Sequence, residues 1–284
     1  MFVIIGIVVV FVSIIGGLIV AGGNPLALIV PAEYIIIGGS AIGSLLIANP
    51  LPILKKIISG AIGTIKGPKV NKASYIELLQ LLYELFQFAK REGLIAIESH
   101  IENPEQSSIF SKYPTFLANK NAVEFLTDTL KVVLSGGVPA HDLEELMDID
   151  IENILEEEQV PAQSLQTLAE AFPGLGIVAA VMGIIVTMAS VSEGAEAVGH
   201  HVAAALVGTF LGVLMCYGII GPTASIMNKI VQKEVKYLQT IKAALLAFAK
   251  GAPASVAVEY GRRSIDPENR PSFQETEQAI KQAR

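Results

Sequence analysis

The sequence predicts an all-α, polytopic membrane protein with four transmembrane helices and a helical cytoplasmic domain. Residues 1–32, 34–54, 171–192 and 197–228 contain no Asp, Glu, Lys or Arg. Each stretch is long enough for the roughly 20 helical residues that cross a hydrocarbon core of about 30 Å. Composition agrees. Of 284 residues, 52% are hydrophobic and only 17% charged, against a usual charged share of about 25%. Mean hydropathy is +0.55.

The spans fall near 1–22, 34–53, 172–191 and 201–222. Any one stretch alone reads equally as a buried helix of a large soluble core, but four within one chain argue for a bilayer. A cleaved leader would carry a basic start; the first stretch lacks one, and a second apolar run follows closely. Orientation comes from the basic residues. Ten lie between Lys55 and Lys131 and ten between Lys229 and Arg284, with none before Lys55 or between 132 and 228. Basic flanks mark the cytoplasmic side, which places both termini there. The connections 23–33 and 192–200, carrying only Glu33, Glu193 and Glu196, face outward. Four regions result: a hairpin of spans at 1–54, a cytoplasmic helical loop at 55–170, a pore-lining hairpin at 171–228, and a helical extension with its tail at 229–284.

Within the loop, Leu78, Leu79, Leu82, Leu85, Phe86 and Ala89 recur at helical spacing, and a helix is expected over 72–100. Residues 103–107 break it. A second helix runs from Asn121 to Leu134, ended by Gly136, Gly137 and Pro139. Residues 142–158 hold nine acidic side chains and no basic ones, read as a solvated face or as a negative surface for a basic partner. Beyond 228, Ile230 to Ala249 continues the fourth helix. The tail after Gly251 turns polar, with Arg262, Arg263 and Arg270 clustered.

Chemistry is mostly missing. The net charge of −7 opposes nucleic-acid binding, which needs a basic surface. Cys216 is the lone cysteine, so neither a disulfide framework nor a thiolate metal site arises. His200 and His201 are adjacent and point to different faces, and no nucleophile elbow, Walker sequence or hydrolytic carboxylate pair is present. Neither an enzyme nor a cofactor is expected. The spans themselves read as free of ionisable groups apart from the Tyr217 phenol, whereas pumps and proton relays place acids inside the bilayer. Any moving ion therefore needs a carboxylate from elsewhere. What the spans offer is small residues, Gly39-x-x-x-Gly43 and Gly208-x-x-x-Gly212, which let helices approach closely. Pro173 reads as the start of span three. Pro222 removes an amide hydrogen where the helix continues, which favours a kink. From the residues alone both prolines stay open between punctuation and hinge.

Three segments carry a resemblance: 172–183 (FPGLGIVAAVMG), 206–222 (LVGTFLGVLMCYGIIGP) and 257–273 (AVEYGRRSIDPENRPSF). With 90–104 (KREGLIAIESHIENP) and the opening spans, the whole chain resembles the MotA family of flagellar stator subunits, relatives of the ExbB and TolQ energisers. The resemblance implies a homo-oligomer, a pentamer, in the bacterial inner membrane, surrounding a MotB-like single-span partner that supplies the ion-carrying aspartate. It also implies a FliG-like rotor protein as cytoplasmic partner. Pro173 and Pro222 match the family's coupling prolines, and Thr209 its pore-facing hydroxyl. Ala180 stands where sodium-type relatives carry threonine, which favours protons. Lys90 or Arg91, with Glu98, match the rotor-facing charges; Asp128 and Asp150 are weaker candidates. On a continuous helix Arg91 and Glu98 share a face. The alternative is an ExbB/TolQ-like energiser of transport across the envelope. A self-contained carrier is disfavoured, since no span converges polar groups on a substrate.

Overall fold

A computed structural model describes residues 2–282, except for the Glu193 side chain. Met1, with which span one was expected to begin, and Ala283 and Arg284, with which the tail ends, lie outside the described residues. In chain order the helices are α1 (Phe2–Val20), α2 (Pro31–Ala48), α3 (Leu51–Lys66), α4 (Lys72–Glu92), α5 (Glu98–Glu102) and α6 (Pro114–Leu117). They continue with α7 (Lys120–Ser135), α8 (Ala140–Ala189), α9 (Ala195–Leu214), α10 (Gly221–Ala249), α11 (Ala254–Ser264) and α12 (Phe273–Gln282). A π-helical turn, Met215–Ile220, joins α9 to α10. Among the described residues, four helical stretches are long and apolar enough to cross a membrane: Phe2–Val20, Pro25–Ala48, Ala140–Ala189 and Ala195–Ala249. The all-α class stands. The chain forms two compact units, one through Gly67 and from Glu158 to Ile230, the other from Pro68 to Glu157 and from Val231 onward.

In the first unit the starts and stops follow from sequence. Asn24 caps the turn Pro25–Leu28, its side chain accepting from the Leu26 amide at 3.0 Å. Pro31 occupies the first turn of α2, where the lost amide costs nothing. Asn49 and Pro50 are extended, so α2 stops at Ala48, short of the expected 53. The Ser164 hydroxyl donates to the Asn49 side chain at 2.7 Å, tying that break to α8. Gly67, at φ +83, ends α3.

Two expectations about helix starts and helix contacts fail in this unit. Span three is not a separate helix starting at Pro173, because α8 runs unbroken from Ala140 with Pro161 and Pro173 both inside it. Nor does Gly39-x-x-x-Gly43 mark a close approach within this chain, since added Cβ atoms at Gly39 and Gly43 meet nothing within 4 Å.

The second unit is a soluble-type core. Leu78, Leu82, Leu85 and Phe86 of α4 are fully buried with Ile97, Phe110, Phe125, Leu130, Ile241 and Leu245. The Phe86 and Phe248 rings stack with centroids 4.3 Å apart. Asn71 and Ser74 form a reciprocal capping box at the start of α4. Glu77 of α4 accepts from the Thr115 and Phe116 amides at 2.7 and 3.1 Å, capping α6 from outside. The acidic face of α8 is partly neutralised: Lys242 lies 2.6 Å from Asp148 and 3.8 Å from Glu144.

The tail is ordered by Arg262 and Arg270, which bind inward. Arg262 donates through Nε and Nη2 to Glu259 at 2.7 and 2.8 Å and through Nη1 to the Pro271 carbonyl at 3.0 Å. Arg270 reaches the Ile265 carbonyl at 2.8 Å. The Arg262 hydrogen bond, with help from Arg263, holds the Glu259 carboxyl down at about 2 from an ordinary 4.5. A carboxyl lowered on folding adds stability above its unfolded value, and that stability vanishes as pH falls through the folded one. Glu259→Gln is therefore expected to lower the thermal midpoint of the detergent-purified chain at neutral pH. The gap to the unsubstituted protein should narrow below about pH 4.5 and close near pH 2; a gap that persists there contradicts the pairing.

Candidate functional site

Of the expected ion-path residues, Pro173 and Ala180 lie on α8 and Thr209 on α9, a packed pair in the first unit, while Pro222 lies in the first turn of α10. α8 and α9 meet backbone to backbone. A Cβ on Gly176 would stand 2.7 Å from the Gly208 carbonyl oxygen and 3.3 Å from the Thr209 Cα. One on Gly212 would stand 2.5 Å from the Phe172 oxygen, and one on Gly183 2.6 Å from the Ala205 Cβ. Ala179 and Ala205 fill the remaining space and are buried. This realises the Gly208-x-x-x-Gly212 expectation, with α8 as the partner.

Thr209 is half-buried on this pair and differs from the other threonines of α8, α9 and α10. The hydroxyls of Thr187 and Thr223 turn back on the carbonyls of Gly183 and Ile219, at 2.8 and 2.7 Å. Those of Thr167 and Thr240 do the same to Gln163 and Lys236. The Thr209 hydroxyl makes no hydrogen bond among the described residues. Its donor and acceptor are available to something outside the chain. Ala180 is half-buried on α8, next to the buried Ala179.

The prolines sit in continuous helix. Pro173 lacks the amide that would bond the Ala169 carbonyl. Pro222 follows the π turn directly. There Gly221 donates its amide to the Cys216 carbonyl, five residues back instead of four. A Cβ on Gly221 would lie 2.6 Å from that same oxygen and 3.9 Å from the Ala169 Cβ. Glycine is thus what admits the π bond, and the turn before Pro222 faces the turn before Pro173. Insertions of this kind recur at functional sites. The sequence showed the proline; the π turn beside it left no pattern of its own.

One group was misplaced. Glu33 is not in an open connection. It sits in the first turn of α2, is 3% exposed, and its Oε2 has no hydrogen-bond partner. A Cβ on Gly208 would collide with that oxygen. The reading of the spans as free of ionisable groups apart from Tyr217 is corrected accordingly. The signal was Pro31, which starts the helix two residues before the acid. Tyr217 itself is 74% exposed.

The charges expected to face a rotor lie in the second unit. Lys90 and Arg91 are exposed in the last turn of α4, Arg91 lying 3.6 Å from Glu92. Gly93, at φ +94, then ends the helix. The helix expected over 72–100 is therefore split, and the shared-face argument for Arg91 and Glu98 does not hold. Glu98 opens α5, exposed. Between the charges Leu94 and Ile95 stand 42% and 79% exposed, while Ile97 and Ile101 anchor the turn in the core. The exposed Ile95 had no sequence signal beyond its place in an apolar run. Asp128 and Asp150 are brought near each other. Burial, then Asp128 and Glu124, push the Asp150 carboxyl up, while Asp128 pairs with Lys131 at 2.8 Å.

Comparison with known proteins bears on this arrangement. A model of the motility protein A N-terminal region matches residues 4–93, and one of the MotA/TolQ/ExbB proton channel family matches 118–240. Chemotaxis protein LafT of Vibrio parahaemolyticus is 40% identical over 96% of this chain and 95% of its own length. Motility protein A of Salmonella typhimurium is 37% identical over 100% of this chain and 96% of its own. Among solved structures, the flagellar MotAB stator complex from Bacillus subtilis aligns with a TM-score of 0.71 at 27% identity, covering 90% of this chain and 92% of that one. The C. jejuni MotAB structure shares the fold with a TM-score of 0.76 at 24% identity, over 95% and 98%. With both family models matched and relatives aligned from end to end, the chain belongs to the MotA/TolQ/ExbB proton channel family.

Proposed function

We propose that this chain is a stator subunit of the bacterial flagellar motor. With a MotB-like single-span partner it passes ions, protons by preference, and turns ion-motive force into torque on a FliG-like rotor protein. The observation that carries the reading is the α8–α9 pair: tightly packed, uncharged over 171–192 and 197–214, and offering the unbonded Thr209 hydroxyl. On α8 the side chains of Ile177, Val178, Val181, Ile184 and Ile185 are at least half exposed, an apolar face suited to neighbouring helices. The relatives named above support the same reading, and the motility-type match over residues 4–93 favours it over an ExbB/TolQ-like energiser.

In this reading five copies form a ring in the inner membrane around the partner helices. Regions 1–54 and 171–228 span the bilayer, 171–228 lining the path, and 55–170 with 229–284 are cytoplasmic. Both termini face the cytoplasm, as the basic flanks after Leu54 and Asn228 require. A protonated partner carboxyl is far cheaper to hold against the apolar α8 face than an ionised one. Each proton crossing brings roughly 2.3 kcal/mol per 100 mV, a few RT, enough to shift a helix but not to unfold it. Thr209 supplies the polar contact along the path. Ala180 supplies no oxygen to a bare cation, so protons are favoured over sodium. The shift is taken up at Pro173 and at Pro222, where a π turn can pass between five-residue and four-residue bonding. Lys90, Arg91 and Glu98, around the Leu94–Ile95 knob, form the surface that meets the rotor.

Pro173→Ala is expected to leave membrane insertion and partner co-purification intact while lowering torque in tethered cells severalfold. Full torque would remove the proline from the coupling. Reversing Glu98 to Lys together with Arg91 to Glu should sharply reduce swimming, and matching reversals in the rotor protein should restore part of it. If no combination of charges restores motion, the contact works by shape.

A further inference from the structure

We propose that Glu33 is a proton-binding carboxyl of this chain, seated against the backbone of α9 at Gly208, immediately beside Thr209. The proposal rests on the stator reading for its role and on Glu33's own surroundings for its existence. The residue is 3% exposed, and its Oε2 is buried without a hydrogen-bond partner. Gly208 has no side chain, and any Cβ there would collide with that oxygen. Ala179 of α8 closes the same pocket, its Cβ 3.1 Å from the position a Gly208 Cβ would take.

The elements packed around it bring no compensating charge. α1, the turn Pro25–Leu28 and the stretches 171–189 and 202–214 contain no acid, base or histidine. The outer part of α9 carries Glu196, His200 and His201, and α3, which also meets α2, carries Lys55, Lys56 and Lys66. Lys56 pairs with Glu158 at 3.2 Å. The neighbouring Tyr34 donates its phenol to the Leu28 carbonyl at 3.2 Å, and Cys216 is buried in the apolar cluster that contains Ala179 and Val207.

An ionised carboxylate without a partner cannot stay in such a place at tolerable cost, whereas the neutral acid can. If neutral packing were all that mattered, an amide or apolar side chain would serve equally well, without a proton to hold. An acid whose neighbour is pared to glycine gives the chain a group that takes up and releases a proton. Its contact with Gly208, whose carbonyl oxygen meets Gly176 of α8, puts that event at the α8–α9 crossing. Loss of the proton forces the carboxylate out of the pocket and frees α2 from α9 there.

The test uses the full chain with its co-expressed partner in native membrane vesicles. A protonated carboxyl in an apolar site adds across a C=N bond of N,N′-dicyclohexylcarbodiimide and rearranges to an N-acylurea, with no leaving group. Tandem mass spectrometry should locate that adduct on Glu33, and it should be absent from Glu33→Gln. In cells, Glu33→Gln should still co-purify with the partner but swim slower by on the order of tenfold or more, where a directly acting proton-transfer group contributes about 10²–10⁴-fold to a rate. Glu33→Asp should recover part of the speed. An unlabelled Glu33, or Glu33→Gln cells swimming at full speed, overturns the proposal. Should the Gln variant fail to assemble, the adduct on the unsubstituted chain and the Asp variant still decide. Cells that swim equally well without this chain contradict the stator reading instead, while the adduct measurement continues to decide whether Glu33 holds a proton.

Discussion

The close approach of α8 and α9 is the constraint on which the membrane-spanning unit depends. Helices in lipid gain little from the hydrophobic effect and associate through packing, so backbone contact matters more than side-chain bulk. Gly176, Gly208 and Gly212 supply that contact, with the Phe172 and Gly208 carbonyl oxygens within a Cβ's reach. Three consequences follow from one crossing. The Thr209 backbone is pinned against Gly176. A slot opens behind Gly208 that a carboxyl fills. The turn before Pro173 is set facing Gly221 and its π bond. A bulkier residue at the crossing would disturb all three at once.

The π turn gives the prolines their physical meaning. A proline inside a straight α-helix strands a carbonyl four residues back. Here the helix has already passed into five-residue bonding over Met215–Ile220 before Pro222, and Gly221 admits the Cys216 carbonyl that closes it. In the proposed function this turn is where a few RT of ion energy acts, by passing between five-residue and four-residue bonding.

Much of this was legible in the sequence, for identifiable reasons. Charge-free stretches announce spans because the cost of burying charge in lipid leaves no alternative. Leu78, Leu82 and Leu85 gave α4 through simple periodicity, and Gly136 gave the end of α7. The failures have equally plain causes. Pro173 reads as a helix start, but the preceding residues are good helix formers and the acidic stretch carries α8 straight through it. Gly93 in left-handed conformation cut the helix that was expected to join Arg91 to Glu98. Gly39 and Gly43 look like Gly208 and Gly212, yet a spacing cannot say which face a neighbour occupies. Glu33 reads as a loop residue because acids usually mark one; that Gly208, 175 residues further along the chain, makes room for it is a tertiary fact.

The central claim is that this chain forms the uncharged wall and coupling device of an ion path completed only by a partner's membrane carboxyl. Proton uptake into sealed vesicles under an imposed potential tests it most directly, comparing the chain alone with the chain and its partner co-reconstituted. The expected result is a proton current in the joint preparation and none above the lipid background with the chain alone. A selective, saturable current through the chain by itself would contradict it.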